Sequence, residues 1–432
     1  MGEPTTTPAD GTTAERSSED YVNLGRSVLT NHLETEKNKT RAPSTLYRIT
    51  DFVSKRIWSW LYYYADSRFG RNHPYLDYTS APDNGVYRIS PGEETEEIVI
   101  GLCADWATNT RQSVQIAQSM ATHAPDYTIH LGDIYFVGEP KEVKRNFLDA
   151  GSPWVRGARG SFAVLGNHEM YARGIAFFDH LLPSLGLRTG STYQGQHAGF
   201  VCLETDYWRI LVLDTGYHSI GKVPVLEMIP WFAPDSRLDP KLMEWLKNEV
   251  RLGDASDKRG LVFMTHHQYI TAFRESEYPK PAAQLASLIG TTRPVIWIWG
   301  HEHKFAMYGK AQVSQGVTAF GRCIGHGGMP VEVDSFRRKA SAKGADKLTV
   351  YDSRVHRTRL RRKIPLGYNG YAILRLKANT LSVEYRDFYQ SLLTETWTVS
   401  AEGEISGSIQ PAPDCPLTPV EGKRWEDAVA GT

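Results

Sequence analysis

The sequence has no surplus of either charge: 49 lysines and arginines stand against 49 aspartates and glutamates. A chain that holds nucleic acid along its surface usually carries a basic excess, so broad nucleic-acid binding is disfavoured. Cysteine is scarce. Cys103, Cys202, Cys323 and Cys415 form no C-x-x-C pair, and the first two fall in apolar runs where a buried reduced thiol is expected. No run approaches the ~18 apolar residues of a membrane-spanning helix. The N-terminus, M-G-E-P-T-T-T-P-A-D-G-T-T, lacks the charged head and apolar stretch of a secretory signal, so a cytoplasmic location is expected. Met1-Gly2 with Thr6 fits the outline of a myristoylation pattern, but Glu3 and Pro4 are unlike its usual context. The absence of an internal repeat excludes solenoids and propellers.

What is present is core-forming material. Of the 432 residues 41% are hydrophobic and 11% aromatic, enough for one large domain with extensions or for two domains. Residues 1–43 are rich in Thr, Glu, Ser and Pro and read as a flexible arm. Over 44–95 an aromatic helix and linker are expected to pack on the core. Leu46, Ile49, Val53, Ile57, Trp60 and Tyr64 recur at helical spacing after Ser44 or Thr45, with Trp58, Tyr62 and Tyr63 beside them. A membrane or partner contact through the 44–64 helix is the less favoured alternative.

The main domain is expected over 96–395. Residues 98–103, 127–131, 162–165, 208–213, 261–264 and 295–299 read as strands, with closing strands at 371–376 and 381–385. A helix capped by Asn109 and one opening at Asp239-Pro240 alternate with them, which argues for an α/β layered fold. The segment 354–363, with Arg357, Arg359, Arg361 and Arg362, reads as a solvated hairpin or loop, the alternative being contact with a phosphate-rich substrate or acidic partner. Residues 396–432 read as a surface tail.

Five short polar motifs follow the apolar runs: Asp105 in C-A-D-W, Asp133 in L-G-D-I-Y, Asn167-His168 in L-G-N-H-E, His266-His267 in F-M-T-H-H, and His301 and His303 in W-G-H-E-H. Layered α/β proteins place their sites at strand C-termini, where nearly all of these fall. Singly each is weak, since Asp, Asn and Gly also serve as turn residues. Together, carboxylates, an amide oxygen and imidazoles make a ligand set for two adjacent cations.

The order and types of these residues resemble the calcineurin-like metallophosphoesterase family, including its purple acid phosphatase branch. The resemblance implies a two-sheet sandwich flanked by helices, an α/β/β/α arrangement, with two divalent or trivalent ions of Fe, Mn or Zn. It implies Asp133 as the bridging ligand, Asp105 and His303 on the first metal, and Asn167, His266 and His301 on the second. It implies His168 as the non-ligand catalytic histidine, which Glu169 or another carboxylate could orient, and a metal-bound hydroxide as the in-line nucleophile. His267 is left open between supporting a ligand, facing the substrate and packing in the core. Arg322 and His326 in G-R-C-I-G-H-G-G are candidate phosphate contacts, with a glycine-rich turn as the alternative.

Two departures concern the first metal. Ala107 stands where many relatives have a ligand histidine. The purple branch substitutes a tyrosine in G-D-x-x-Y, but here Tyr135 comes one residue early and Phe136 takes the place. On an extended segment that shift points the ring to the opposite face, so Tyr135 either reaches the metal through a shortened loop or is no ligand. The expected function is metal-dependent phosphoester hydrolysis, with a phosphorylated small molecule or other phosphoester as substrate. A phosphomonoesterase is favoured over a phosphodiesterase for a nucleotide or phospholipid headgroup, and over a non-catalytic scaffold of the same fold.

Overall fold

The computed structural model describes residues 70–430 apart from 93–94, 150–153, 221–235, 274, 290–292, 315–316 and 358–364. The expected arm, the aromatic helix over 44–64 and Arg359, Arg361 and Arg362 lie outside the described residues.

In chain order the strands begin with β1 Val86–Arg88, β2 Ile98–Cys103, β3 Tyr127–His130, β4 Gly160–Ala163, β5 Gly186–Thr189, β6 Thr192–Tyr193, β7 Val201–Glu204 and β8 Trp208–Leu213. They continue with β9 Gly260–Thr265, β10 Arg293–Trp299, β11 Phe305–Ser314, β12 Val317–Ile324, β13 Leu348–Tyr351, β14 His356–Arg357 and β15 Pro365–Leu366. β16 Gly370–Lys377, β17 Thr380–Asp387, β18 Ser391–Val399 and β19 Ile405–Pro411 follow. The long helices are α1 Arg111–Ala121, α2 Pro240–Asn248 and α3 Pro279–Ile289.

Two large sheets result. One runs β1-β7-β8-β9-β10-β12-β11-β13 and the other β19-β18-β17-β16-β2-β3-β4-β5-β6. At their centres β8, β9, β10 and β12 are parallel, as are β2, β3 and β4. Strands covered on both faces need no polar alternation, which is why W-R-I-L-V-L and G-L-V-F-M-T are buried at every position.

Alternate side chains divide between the faces. Val262, Met264, Ile296 and Ile298 meet Ile100, Leu102 and Ile129 in the core between the sheets. Leu261, Phe263, Val295 and Trp297 turn outward beneath Leu242, Trp245 and Leu246 of α2 and Leu285 and Ile289 of α3. On the far side Ile116, Ala117 and Met120 of α1 cover Cys103, Ala163 and Ile373. The order is helix, sheet, sheet, helix, the α/β/β/α sandwich the resemblance implies.

Several local expectations are corrected. Thr110 caps α1 by accepting from Ser113 N at 3.3 Å, whereas Asn109 sits at φ +52° just before it. The segment 396–432 is no surface tail: β18 crosses its expected start, β19 extends the nine-stranded sheet, and Trp425–Ala428 forms a further helical turn. Its strand, I-S-G-S-I-Q-P, alternates half-buried with exposed residues, a weak edge signal that reads as loop. In the basic segment, Arg354 is held by Asp352 and Asp387 at 2.6 and 2.9 Å, and its guanidinium lies 4.3 Å from the Tyr368 ring centre. All four cysteines are free thiols, three of them buried. Among the described residues no helix is long and apolar enough to cross a membrane.

Candidate metal centre

Every motif histidine and carboxylate falls just past a strand end. β2 is followed by Asp105, β3 by Asp133 and β4 by Asn167 and His168. From the facing sheet β9 is followed by His266 and His267, and β10 by His301 and His303. The two sheets therefore deliver the carboxylates, the amide and the His168 imidazole from one side and the other four imidazoles from the other.

Close approach of these loops depends on glycines. A Cβ on Gly132, at φ +92°, would lie 2.5 Å from Gly166 N, and one on Gly166 would collide with the Asp133 carboxylate. Asp105, Asp133 and His301 themselves take positive φ values of 55°, 72° and 63°. Left-handed backbone at three non-glycine residues is strain that persists only where surroundings over-determine it, and such strain clusters at functional sites.

The side chains form two acceptor-rich groups. In the first, the Tyr135 hydroxyl lies 2.9 Å from Asp105 Oδ1, 3.0 Å from Asp133 Oδ2 and 2.9 Å from His303 Nε2. One hydroxyl proton cannot satisfy both carboxylate oxygens, and all four side chains are buried. In the second, Asn167 Oδ1 lies 3.1 Å from His266 Nε2 and 2.9 Å from His301 Nδ1. His266 Nε2 is also 3.4 Å from Asp133 Oδ1. The two Asp133 oxygens thus face the two groups separately, which is what a bridging carboxylate requires.

Convergent acceptors with few protons are a cation site by chemistry, and buried acceptors left without a cation or proton are costly. The supporting contacts fit as well. The second nitrogen of His266, Nδ1, donates to Leu131 O at 2.8 Å, fixing the tautomer that aims Nε2 inward. Asp105, Asp133 and His303 form one potential ligand group, and His266, His267 and His301 another, each with donor atoms within 4.8 Å of one another. His267 is thereby placed beside the second group. Its ring Nδ1 is 3.1 Å from the Thr215 hydroxyl, which also accepts the His267 N–H at 3.0 Å.

Electrostatics follow the same division. Burial alone would raise the Asp133 carboxyl, but the charges of His266 and His168 outweigh it and hold it well below its ordinary value. Burial alone would lower the His266 imidazole, but Asp133 and then Asp105 push it up to about 10. His267 goes the other way: burial, then repulsion from His301 and His266, hold it well below the usual imidazole value.

Tyr135 reaches the first group although it comes early in the motif. The alternation argument applies to extended chain, and Asp133 at φ +72° interrupts it. Phe136 packs instead with Val137, Tyr171 and Met329. Ala107 is buried in the core beside Trp106 and Ile134, so it offers no ligand.

His168 is oriented by a carbonyl and not by Glu169. Its Nδ1 lies 2.6 Å from Phe136 O, an oxygen that only accepts, so Nδ1 carries the proton. Its Nε2 lies 3.7 Å from Asp133 Oδ2. Glu169 holds the Asp133 loop: its carboxylate accepts the N–H groups of Ile134 at 2.6 Å, Gly166 at 2.8 Å and Asp133 at 3.2 Å.

Two expected phosphate contacts are corrected. Arg322 is fully buried and all five of its N–H groups are used. Nε and Nη2 bond Glu395 Oε2 at 2.8 and 2.6 Å. The remaining donors meet Tyr308 O, Gly321 O and Ala428 O. It joins the two sheets and the C-terminal segment. Arg322→Ala would leave Glu395 as a buried lone charge, a loss of about 3–5 kcal/mol in stability. Denaturant unfolding should register that loss, with KM unchanged at temperatures where the variant is folded. His326 is wedged between Phe305 and Gly370, and burial pushes its imidazole down to about 4, so it is a neutral packing residue at neutral pH.

Thr215, Glu302 and the Phe136 carbonyl were not anticipated. For Thr215 a signal existed, since D-T-G follows the apolar run of β8 as the other motifs follow theirs.

The two-sheet α/β sandwich thus carries paired groups of candidate metal ligands at its strand ends. Residues 98–305 match the family model described as calcineurin-like phosphoesterase. That span carries a calcineurin-like phosphoesterase domain. No curated protein matches the chain in sequence. Among solved structures it is similar to PhoD, with 12% identity over 77% of this chain and 74% of that one and a TM-score of 0.48. It is similar to GAP50, the anchor in the inner membrane complex of Plasmodium, at 10% identity over 70% and 89%, TM-score 0.44. It is also similar to purple acid phosphatase PPD1 from yellow lupin (Lupinus luteus) seeds, at 13% identity over 69% and 53%, TM-score 0.40.

Proposed function

We propose that this protein is a phosphomonoesterase that works with two cations, one held by Asp105, Asp133, Tyr135 and His303, the other by Asp133, Asn167, His266 and His301. The observation that carries this reading is the Asp133 carboxylate, whose Oδ2 lies 3.0 Å from the Tyr135 hydroxyl and whose Oδ1 lies 3.4 Å from His266 Nε2. The mix of carboxylate, phenol, amide and imidazole suits Fe, Mn or Zn, and the phenol suits a hard trivalent ion in the first set. A cation pair so held supplies Lewis-acid polarisation of a phosphoryl oxygen and lowers the pKa of water toward neutrality.

The chain's own residues supply the remainder. His168, fixed by its bond to Phe136 O, presents Nε2 beside Asp133. Protonated there, it hands its proton to the departing alkoxide as general acid. Glu169 keeps the Asp133 loop in register by gathering three backbone N–H groups. His301 is only half buried, unlike its neighbours, and marks the side from which substrate enters. Tyr135 in the first set, with Ala107 where a histidine ligand is usual, supports the monoesterase over the diesterase reading.

The test uses purified protein loaded with Mn(II), Zn(II) or iron and given p-nitrophenyl phosphate and bis-p-nitrophenyl phosphate. Faster turnover of the monoester is expected. Faster turnover of the diester makes the protein a phosphodiesterase, and turnover of neither by cation-loaded protein sinks the catalytic reading.

A further inference from the structure

The turn that presents His301 and His303 has a shape that needs explaining. Glu302 N–H donates to Gly300 O at 2.7 Å, and Lys304 N–H donates to Glu302 O at 2.6 Å. Each bond spans two residues, so the histidines stand at the centres of two successive three-residue turns. His301, at φ +63°, occupies the rare and strained form of that turn. A strained turn followed at once by a second turn keeps one geometry only if its surroundings impose it.

Glu302 and Lys304 make those surroundings. Between two histidines that approach the cluster, the Glu302 side chain is buried elsewhere. Its Oε1 accepts the Thr271 hydroxyl at 2.5 Å and its Oε2 accepts the Trp299 indole N–H at 3.2 Å. Lys304 Nζ is wholly buried, 3.6 Å from Glu302 Oε1 and 2.6 Å from Glu275 Oε1, and it lies 4.5 Å from the Phe273 ring centre. The Cys323 thiol lies 3.3 Å from the carbonyls of both Glu302 and Lys304, steadying the turn from β12. Thr271, Phe273 and Glu275 belong to the connection from β9 to α3, the segment that opens with His266 and His267.

We infer that Glu302 and Lys304 are positioning residues for the cation sites: a buried clasp that locks the turn bearing His301 and His303 onto the segment that follows His266. The inference rests on the two-cation reading above. Backbone bonds already join the two ligand segments, through the β9–β10 ladder and the Gly300 N–H to His266 O bond at 3.1 Å; the clasp adds the side-chain anchorage that holds the turn beyond Gly300, where His301 and His303 sit. A buried ion pair is seldom more stabilising than apolar side chains of the same size, so net stability does not account for this one. Fixing the relative placement of ligands from two strands does.

The test is the double variant Glu302→Met/Lys304→Met, which removes the fully buried pair together and leaves only the Glu275 carboxylate, 27% exposed, to be taken up by water. Full-length protein is stripped of metal, titrated with Mn(II) or Zn(II) against a chelator, and melted in parallel without added metal. The expected result is a melting temperature near that of the wild type with cation affinity lower by about 10–100-fold. Thr271→Val, which removes only the hydroxyl donor to Glu302, should weaken affinity in the same direction, and it serves if the double variant does not fold. Variants that match the wild type in affinity overturn the inference. A wild type that takes up no cation overturns the two-cation reading and this inference with it, whereas uptake of two by wild type and variants with equal affinity overturns the clasp alone.

Discussion

Asp133→Asn should strip cations from both groups at once. Its two oxygens face different partners, Tyr135 at 3.0 Å on one side and His266 at 3.4 Å on the other. Asparagine keeps one neutral oxygen and turns an N–H donor toward the other group, where the Tyr135 hydroxyl already supplies a proton or His266 Nε2 needs a cation. Charge is lost for both sites and geometry for at least one. Elemental analysis should find well under one cation per chain, and turnover should fall by about 10³-fold, the several kcal/mol that a bound cation contributes to phosphoryl transfer. Asp105→Asn is the control, because Asp105 Oδ1 meets the first group while its Oδ2 accepts the His301 backbone N–H at 2.9 Å and faces none of the second group's ligand atoms. It should lose one cation and keep the other. Equal losses in the two variants would mean that Asp133 does not bridge.

His168→Ala should separate catalysis from cation binding. The imidazole is held by Phe136 O and stands 3.7 Å from Asp133, outside both groups of potential ligand atoms. Turnover should fall by about 10²–10⁴-fold, the usual worth of a positioned general acid. Cation content should match the wild type. The loss should also depend on the leaving group. An alkyl phosphate departs as a strongly basic alkoxide and needs the proton, while p-nitrophenolate does not. The deficit should therefore be larger with the alkyl substrate. Equal deficits with the two substrates would make His168 a phosphoryl contact instead of an acid, and loss of cations would make it a ligand.

What could be read from the sequence divides along physical lines. The central parallel strands are largely buried on both faces, so β2, β8, β9 and β10 appear as near-continuous apolar runs and the polar residues after them stand out. That is why the ligand candidates were legible. The edge of the nine-stranded sheet was not, because β19 alternates weakly and carries Ser, Gly and Gln. Arg322 looked like a phosphate contact in a glycine-rich turn. Its partner, Glu395, lies 73 residues away, and nothing local announces such a pair. Tyr135 needed a backbone angle: an extended chain would have turned its ring away, and the φ of Asp133 turns it in. The carbonyl that orients His168 carries no side-chain signal at all, since any residue at position 136 supplies one.

In the proposed centre one carboxylate, Asp133, would join two cations at the meeting of the two sheets. Anomalous diffraction from crystals of the cation-loaded wild type tests it most directly. Two peaks are expected, one among Asp105, Tyr135 and His303 and one among Asn167, His266 and His301, with Asp133 touching both. A single peak, or two peaks of which Asp133 touches only one, would contradict it.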